Sequence, residues 1–319
     1  MKVFLAGASG ALGKRLVPQL IDRGHTVVGT TRSQAKAALL WDLGAKPVVV
    51  DALDRDAVLD AVAAAQPDAI IHQATALTGV DLRKFAQSFE LTDRLRSEGT
   101  DNLLAAARAT GVKRFVAQSY TGWPYARVGG PVKSETDPLD PHPAPAMRRS
   151  LDAIRHVETA VTEAGGIALR YGGFYGPGTG LEAGGEQLDA VRKRKFPVVG
   201  EGRAVWSFVH IDDAAAATVA ALEHGKPGIY NIVDDDPAPV CEWLPYLADV
   251  AEAKPPRHLP LWLAKLAAGE HVVVMMDQAR GASNEKARRE LGWTPAHPSW
   301  RDGFREVVAA AESQAAVAA

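Results

Sequence analysis

Val3-Phe4-Leu5-Ala6-Gly7-Ala8-Ser9-Gly10-Ala11-Leu12-Gly13 decides the fold. Four apolar residues in succession predict a short strand covered on both faces. Leu12, Leu16 and Leu20, four apart, predict a helix immediately after it, with Pro18 expected to kink it. Glycines at 7, 10 and 13 occupy the turn between them. A phosphate group needs close backbone approach, a tight turn that tolerates positive φ, and free N–H groups at a helix N-terminus. Gly7 and Gly10 meet those needs, and Gly13 lets the helix close onto the sheet. The stretch is not a P-loop, because Gly13-Lys14 is followed by Arg15 and Ala8 stands five positions before Gly13. In its strand–turn–helix setting it predicts a dinucleotide cradle, with Gly7, Ser9, Gly10, Ala11 and Leu12 touching the cofactor; the plainer alternative is a structural turn.

Outward from that turn, short apolar runs at 26–30, 47–50, 69–72, 114–118 and 167–170 alternate with amphipathic helical stretches. That alternation predicts an α/β fold, a doubly wound parallel sheet ending near residue 170. The second half is less regular: strands are expected at 205–211 and 229–233, and helices at 213–223, 240–252 and 284–291.

After the second strand, an acid favours an unphosphorylated ribose and an arginine accommodates a 2′-phosphate. Here the strand runs into Thr31-Arg32-Ser33 with no acid, so the expected cofactor is NADP(H) rather than NAD(H). Arg32 read without a ligand is a solvated helix-start residue. Asp51, past the third strand, is placed for the adenine edge or for capping the helix that begins near Asp54.

The 319 residues hold 36 Lys+Arg against 38 Asp+Glu, interspersed, which leaves no footprint for nucleic acid. The single cysteine excludes a disulfide framework. No signal peptide and no membrane-length apolar run is read, so a cytoplasmic protein is expected. The histidines are dispersed, without metal spacing; His210 reads as a hydrogen-bonded structural residue, and no metal is expected. Gly-x-Ser-x-Gly is absent.

The chain resembles the extended short-chain dehydrogenase/reductases, the NAD(P)-dependent epimerase/dehydratase family. The likeness rests on the glycine turn, Asp51-Ala52-Leu53, Gln73-Ala74-Thr75-Ala76, Val112-Lys113-Arg114-Phe115-Val116 and Leu169-Arg170-Tyr171. It continues through Tyr175-Gly176-Pro177-Gly178, Phe208-Val209-His210-Ile211-Asp212-Asp213, Tyr230-Asn231-Ile232 and the run 286–295. It implies a Rossmann-type domain over 1–170 and a smaller C-terminal α/β substrate domain over 171–319, with 204–225 returning to the first. It also implies cofactor contacts at Asp51, Ala52, Leu53, Gln73, Ala74, Thr75 and Gln118, with Tyr171, Gly172 and Gly173 at the nicotinamide end. Relatives pair as homodimers through helices here at 89–110 and 149–163.

Two departures shape the functional expectation. The family's Tyr, with a Lys four residues on, falls at Ser150 and Ile154, and isoleucine can neither carry charge nor move a proton. Tyr120 or Ser119, past the fifth strand, is then the candidate proton donor. The Arg-Asp that clamps nucleotide sugars falls at Trp206-Ser207, which trades bidentate phosphate recognition for an apolar wall. Trp123, Tyr125, Phe174 and Tyr175 are expected near it. The resulting expectation is an NADP(H)-dependent oxidoreductase for a small, largely uncharged carbonyl or related substrate. The alternatives are an NAD-dependent epimerase or dehydratase of a sugar-like substrate, and a catalytically silent NADP(H) sensor.

Overall fold

In the computed structural model, which describes residues 1–77, 79 and 81–318, seven parallel strands form one central sheet. In chain order they are β1 (Lys2–Ala6), β2 (Thr26–Thr31), β3 (Lys46–Val49), β4 (Ala69–His72), β5 (Arg114–Tyr120), β6 (Ile167–Tyr171) and β7 (Gly228–Ile232). Across the sheet the order is β7-β6-β5-β4-β1-β2-β3. The chain therefore winds one way from β1 to β3 and the other way from β4 onward, the Rossmann-type arrangement the sequence predicts, but the sheet does not end near residue 170: β7 from the second half adds its edge strand. Because every strand is parallel, all seven C-terminal tips lie along one edge, where ligands bind in such sheets.

The helices follow from the spacing of their apolar residues. Leu12, Leu16 and Leu20 bury one face of α1 (Ala11–Asp22) against the sheet beside α6 (Ile211–His224). Each such leucine contributes about 2 kcal/mol. Pro18 lies inside α1 without ending it. The other face of the sheet is covered by α2 (Arg55–Ala65), α4 (Thr100–Thr110) and α5 (Arg148–Glu163). Asp54 starts α2 by accepting the Ala57 N–H at 3.1 Å. Helix α3 (Phe85–Arg94) runs into α4 through a π turn, Leu95–Gly99.

A third apolar body, which includes Trp243, Leu247, Trp300 and Phe304, packs the C-terminal elements together. The single strand expected at 205–211 is two short ones, Val205–Trp206 and Phe208–His210. They divide at Ser207, whose carbonyl accepts from Gly173 N–H at 2.9 Å while its hydroxyl takes the Ala282 N–H.

Candidate active site

The glycine turn has the form that a dinucleotide requires. Gly7 sits at φ +88°, and a Cβ there would stand 2.7 Å from the Ala74 backbone nitrogen. A Cβ on Gly13 would come within 2.4 Å of the Gly7 and Ala8 carbonyl oxygens. Helix α1 starts with no capping side chain and no acid in its first turn, so its positive end is left for an anion. Gly7 N–H donates to Thr30 Oγ1 at 3.1 Å, and Ser9 Oγ to Thr31 Oγ1 at 3.1 Å, which ties the turn to β2. These residues fit the pyrophosphate of a dinucleotide. Arg32 is exposed past β2 and forms no ion pair among the described residues.

The remaining expected contacts gather at the neighbouring tips. Asp51 accepts from Leu53 N–H at 3.0 Å, and it is Asp54 that caps the helix. Asn102 holds the Ala52 carbonyl at 3.0 Å. Gln73 donates to the Tyr171 hydroxyl at 3.0 Å, and that hydroxyl meets Thr218 Oγ1 at 2.7 Å. Tyr171 is therefore locked, and burial pushes its phenol upward. Gly172 and Gly173 give their N–H groups to Ile232 and Ser207. Ala74 and Thr75 remain half-buried beside Gly7.

Tyr120 and Ser119 lie on opposite sides of β5. Ser119 turns toward α5, where its hydroxyl donates to Glu158 at 2.7 Å. Glu158 also takes both arms of Arg170, at 2.6 and 2.7 Å, and Arg170 reaches the Tyr125 hydroxyl at 3.0 Å. This buried network takes the Ser119 proton on the α5 side, which corrects its place among cleft-facing donors. Tyr120 instead lines a narrow cleft with Thr121, Trp123, Val205, Trp206 and Met275. No charged side chain of the described residues lines it. Trp206 is set by its Nε1 donating to the Met275 carbonyl at 2.7 Å and by Trp243, ring centre 5.0 Å away. Of the other expected aromatics only Trp123 reaches this wall. Tyr125 is held by Arg170 and Asn231, Phe174 packs on Tyr171, and Tyr175 is sealed between His210 and Phe304.

The place of the missing Tyr and Lys is occupied differently. Ile154 is fully buried among Phe85, Met147 and Leu151. Ser150 donates to Asp93 Oδ2 at 2.9 Å. One turn beyond Asp93, the π turn carries Arg96, buried, with Nη2 donating to Gln118 Oε1 at 3.4 Å. Among the described residues, Asp93 Oδ1, Arg96 Nε and Gln118 Nε2 have no hydrogen-bond partner. His72 donates from Nε2 to the Leu95 carbonyl at 3.0 Å and fastens the π turn to β4; burial pushes its imidazole down to about 4. Gln118 was expected as a cofactor contact, but nothing in the sequence marked Asp93 or Arg96, which read as ordinary residues of a helix. His210, Asp213 and His297 also cluster, within 4.8 Å. Asp213 there accepts the Ala296 and His297 N–H groups and His297 Nδ1, so it straps residues 296–297 to α6.

The sequence pattern of the NAD dependent epimerase/dehydratase family matches residues 3–233. The chain belongs to that family. This family member is 44% identical over 308 residues to the 3-diazoavenalumate denitrifying reductase of a Streptomyces species, covering 95% of this chain and 99% of that one. It is 30% identical over 260 residues to the 2-alkyl-3-oxoalkanoate reductase of Stenotrophomonas maltophilia, covering 76% and 73%. Its fold superposes with a TM-score of 0.76 on a UDP-glucose 4-epimerase of Thermotoga maritima, 21% identical over 99% of this chain and 100% of that one. As an epimerase/dehydratase family member with reductases among its relatives, it is an NAD(P)-dependent oxidoreductase. No helix among the described residues is long and apolar enough to cross a membrane.

Proposed function

We propose that the chain is an NADP(H)-dependent reductase of a small, flat, largely uncharged substrate carrying a carbonyl or a diazo group. The observation that carries this reading is the cleft beside Tyr120. Its walls are Trp123, Val205, Trp206 and Met275, without a charged fork for a diphosphate. The diazo group enters from the name of the Streptomyces relative, and the carbonyl from the Stenotrophomonas one. Residues 1–170 hold the cofactor in this reading and 171–319 shape the substrate side, with 204–225 returning to the sheet region. The homodimer of the resemblance is kept as a proposal.

A reduced nicotinamide, when bound, supplies hydride. The chain's residues do the rest. The glycine turn with Ser9, Ala11 and Leu12 holds the pyrophosphate, and Arg32 with Thr31 holds the 2′-phosphate. Ala52, Leu53, Gln73, Ala74 and Thr75 border the rest of the cofactor, and Trp206 orients the flat substrate. With a carbonyl substrate, Tyr120 donates its phenolic proton to the oxygen that takes the C=O electron pair.

The test pairs binding with turnover. Titrated NADPH and NADH are compared on the wild type and Arg32→Ala, and NADPH oxidation is followed over aryl aldehydes, ketones and neutral aryl diazo compounds. The reading expects a wild-type preference for NADPH of about tenfold or more, erased in Arg32→Ala, and oxidation with at least one compound class. Equal affinity for both nucleotides refutes the NADP(H) assignment, and silence across the panel refutes the substrate class.

A further inference from the structure

A guanidinium taken out of water costs several kcal/mol unless it is well partnered. Arg96 is 3% exposed, has one long hydrogen bond, to Gln118, and forms no ion pair among the described residues. Stability alone is a poor reason to keep it there. Its position is also built: π turns hold one residue more than an α-helical turn and concentrate at functional sites. This one is fastened by His72 and presents Arg96 to Gln118 on β5. Gln118 and Tyr120 are two residues apart on that strand and so share a side. Arg96 thus lies on the same side of β5 as Tyr120, the residue of that strand that lines the cleft. Burial pushes the Tyr120 phenol up to about 12, and Arg96 pulls against that rise.

We propose that Arg96 is the positioning cation for Tyr120, presented by the π turn to steady the charge that grows on the Tyr120 oxygen as its proton leaves. The proposal rests on the reading of Tyr120 as proton donor. In that step the Tyr120 O–H bond breaks, its electron pair stays on the phenolic oxygen, and the proton joins the substrate atom that took the electron pair. Solvent then returns a proton to Tyr120. Arg96 fills from the helix side the part that a lysine plays elsewhere in the family.

The groups facing Arg96 are Asp93 on its own helix, Gln118 and Tyr120 on β5, Glu158 on α5 and His72 on β4. Glu158 is tied to Arg170, and His72 is neutral above about 4. Burial pushes the Arg96 guanidinium down while Asp93, Tyr120 and Glu158 pull it back up, so in the alkaline range the Tyr120 signal reads the coupling of the two groups.

The experiment is a ¹⁹F NMR titration of the full chain carrying 3-fluorotyrosine, without nucleotide, with the Tyr120 signal identified by its loss in Tyr120→Phe. Fluorination lowers the phenol's titration into a range gentler on the fold. Arg96→Met is expected to raise the Tyr120 midpoint by about one pH unit or more, and Arg96→Lys to hold it near wild type. A midpoint unmoved in Arg96→Met, or raised as far in Arg96→Lys, overturns the proposal. Should Arg96→Met not fold with Asp93 stranded, Asp93→Asn/Arg96→Met is compared with Asp93→Asn under the same criteria. The titration needs no turnover, so a Tyr120→Phe enzyme that stays fully active would refute the donor assignment while leaving the coupling measured.

Discussion

Tyr120 and Ser119 are adjacent in sequence, yet removing one hydroxyl should touch chemistry and removing the other should touch the fold. Tyr120→Phe is expected to lower kcat for NADPH oxidation about 100-fold with KM changed by no more than about threefold, measured by steady-state kinetics. Ser119→Ala deprives Glu158 of one donor, and is expected to cost about 1–2 kcal/mol in urea unfolding with kcat unchanged. His72 gives a pH prediction. Its imidazole is held neutral, down to about 4 from an ordinary 6.5, so the unfolded chain binds the extra proton first as the solution is acidified. The stabilisation is intact above 6.5 and is lost as pH falls toward about 4, reaching roughly 3 kcal/mol. His72→Gln, whose amide nitrogen stands in for Nε2 and can still donate to Leu95, should lack that slope when urea midpoints are compared across the window.

At the scale of elements, the strands and the glycine turn were legible because burial on both faces leaves an unbroken apolar run that few other settings produce. The runs at 26–30, 69–72 and 167–170 lie within β2, β4 and β6 or coincide with them. Periodicity also marks 89–110 as helical, but it cannot tell a π turn from an α turn, so the placement of Arg96 was hidden. The Glu158–Arg170 pair was hidden for another reason: its partners come from α5 and β6, and nothing local announces that they meet. That pair is what docks α5 onto the sheet by charge as well as by Val157 and Val161. Glu158→Gln leaves Arg170 buried beside a neutral amide and should destabilise the protein by about 3–5 kcal/mol, read by chemical denaturation. The cleft's composition was half legible: Trp206 was found by the motif it interrupts, whereas Tyr125 and Tyr175 share the motif neighbourhood but point into other packing.

For the whole molecule, the sheet ties the two halves of the chain. Strand β7 comes from the second half and pairs with β6 along Ile167–Tyr171, and α6 covers the same face as α1. A fragment ending at residue 170 would expose Ile167, Ala168 and Leu169, all buried in the intact chain. It is expected to be aggregated or unfolded by size-exclusion chromatography and circular dichroism, while the full chain unfolds in one transition; a soluble, folded fragment would contradict this. The same edge has a consequence during synthesis. After Tyr171 emerges from the ribosome, the 56 residues 172–227 must follow it out before the partner strand can emerge. At about 5–20 residues per second, that leaves a nascent apolar edge waiting roughly 3–11 s, long enough to recruit a chaperone or to meet the same edge on a neighbouring polysome chain. Slow codons between 172 and 227 should therefore lower soluble yield without altering the finished protein.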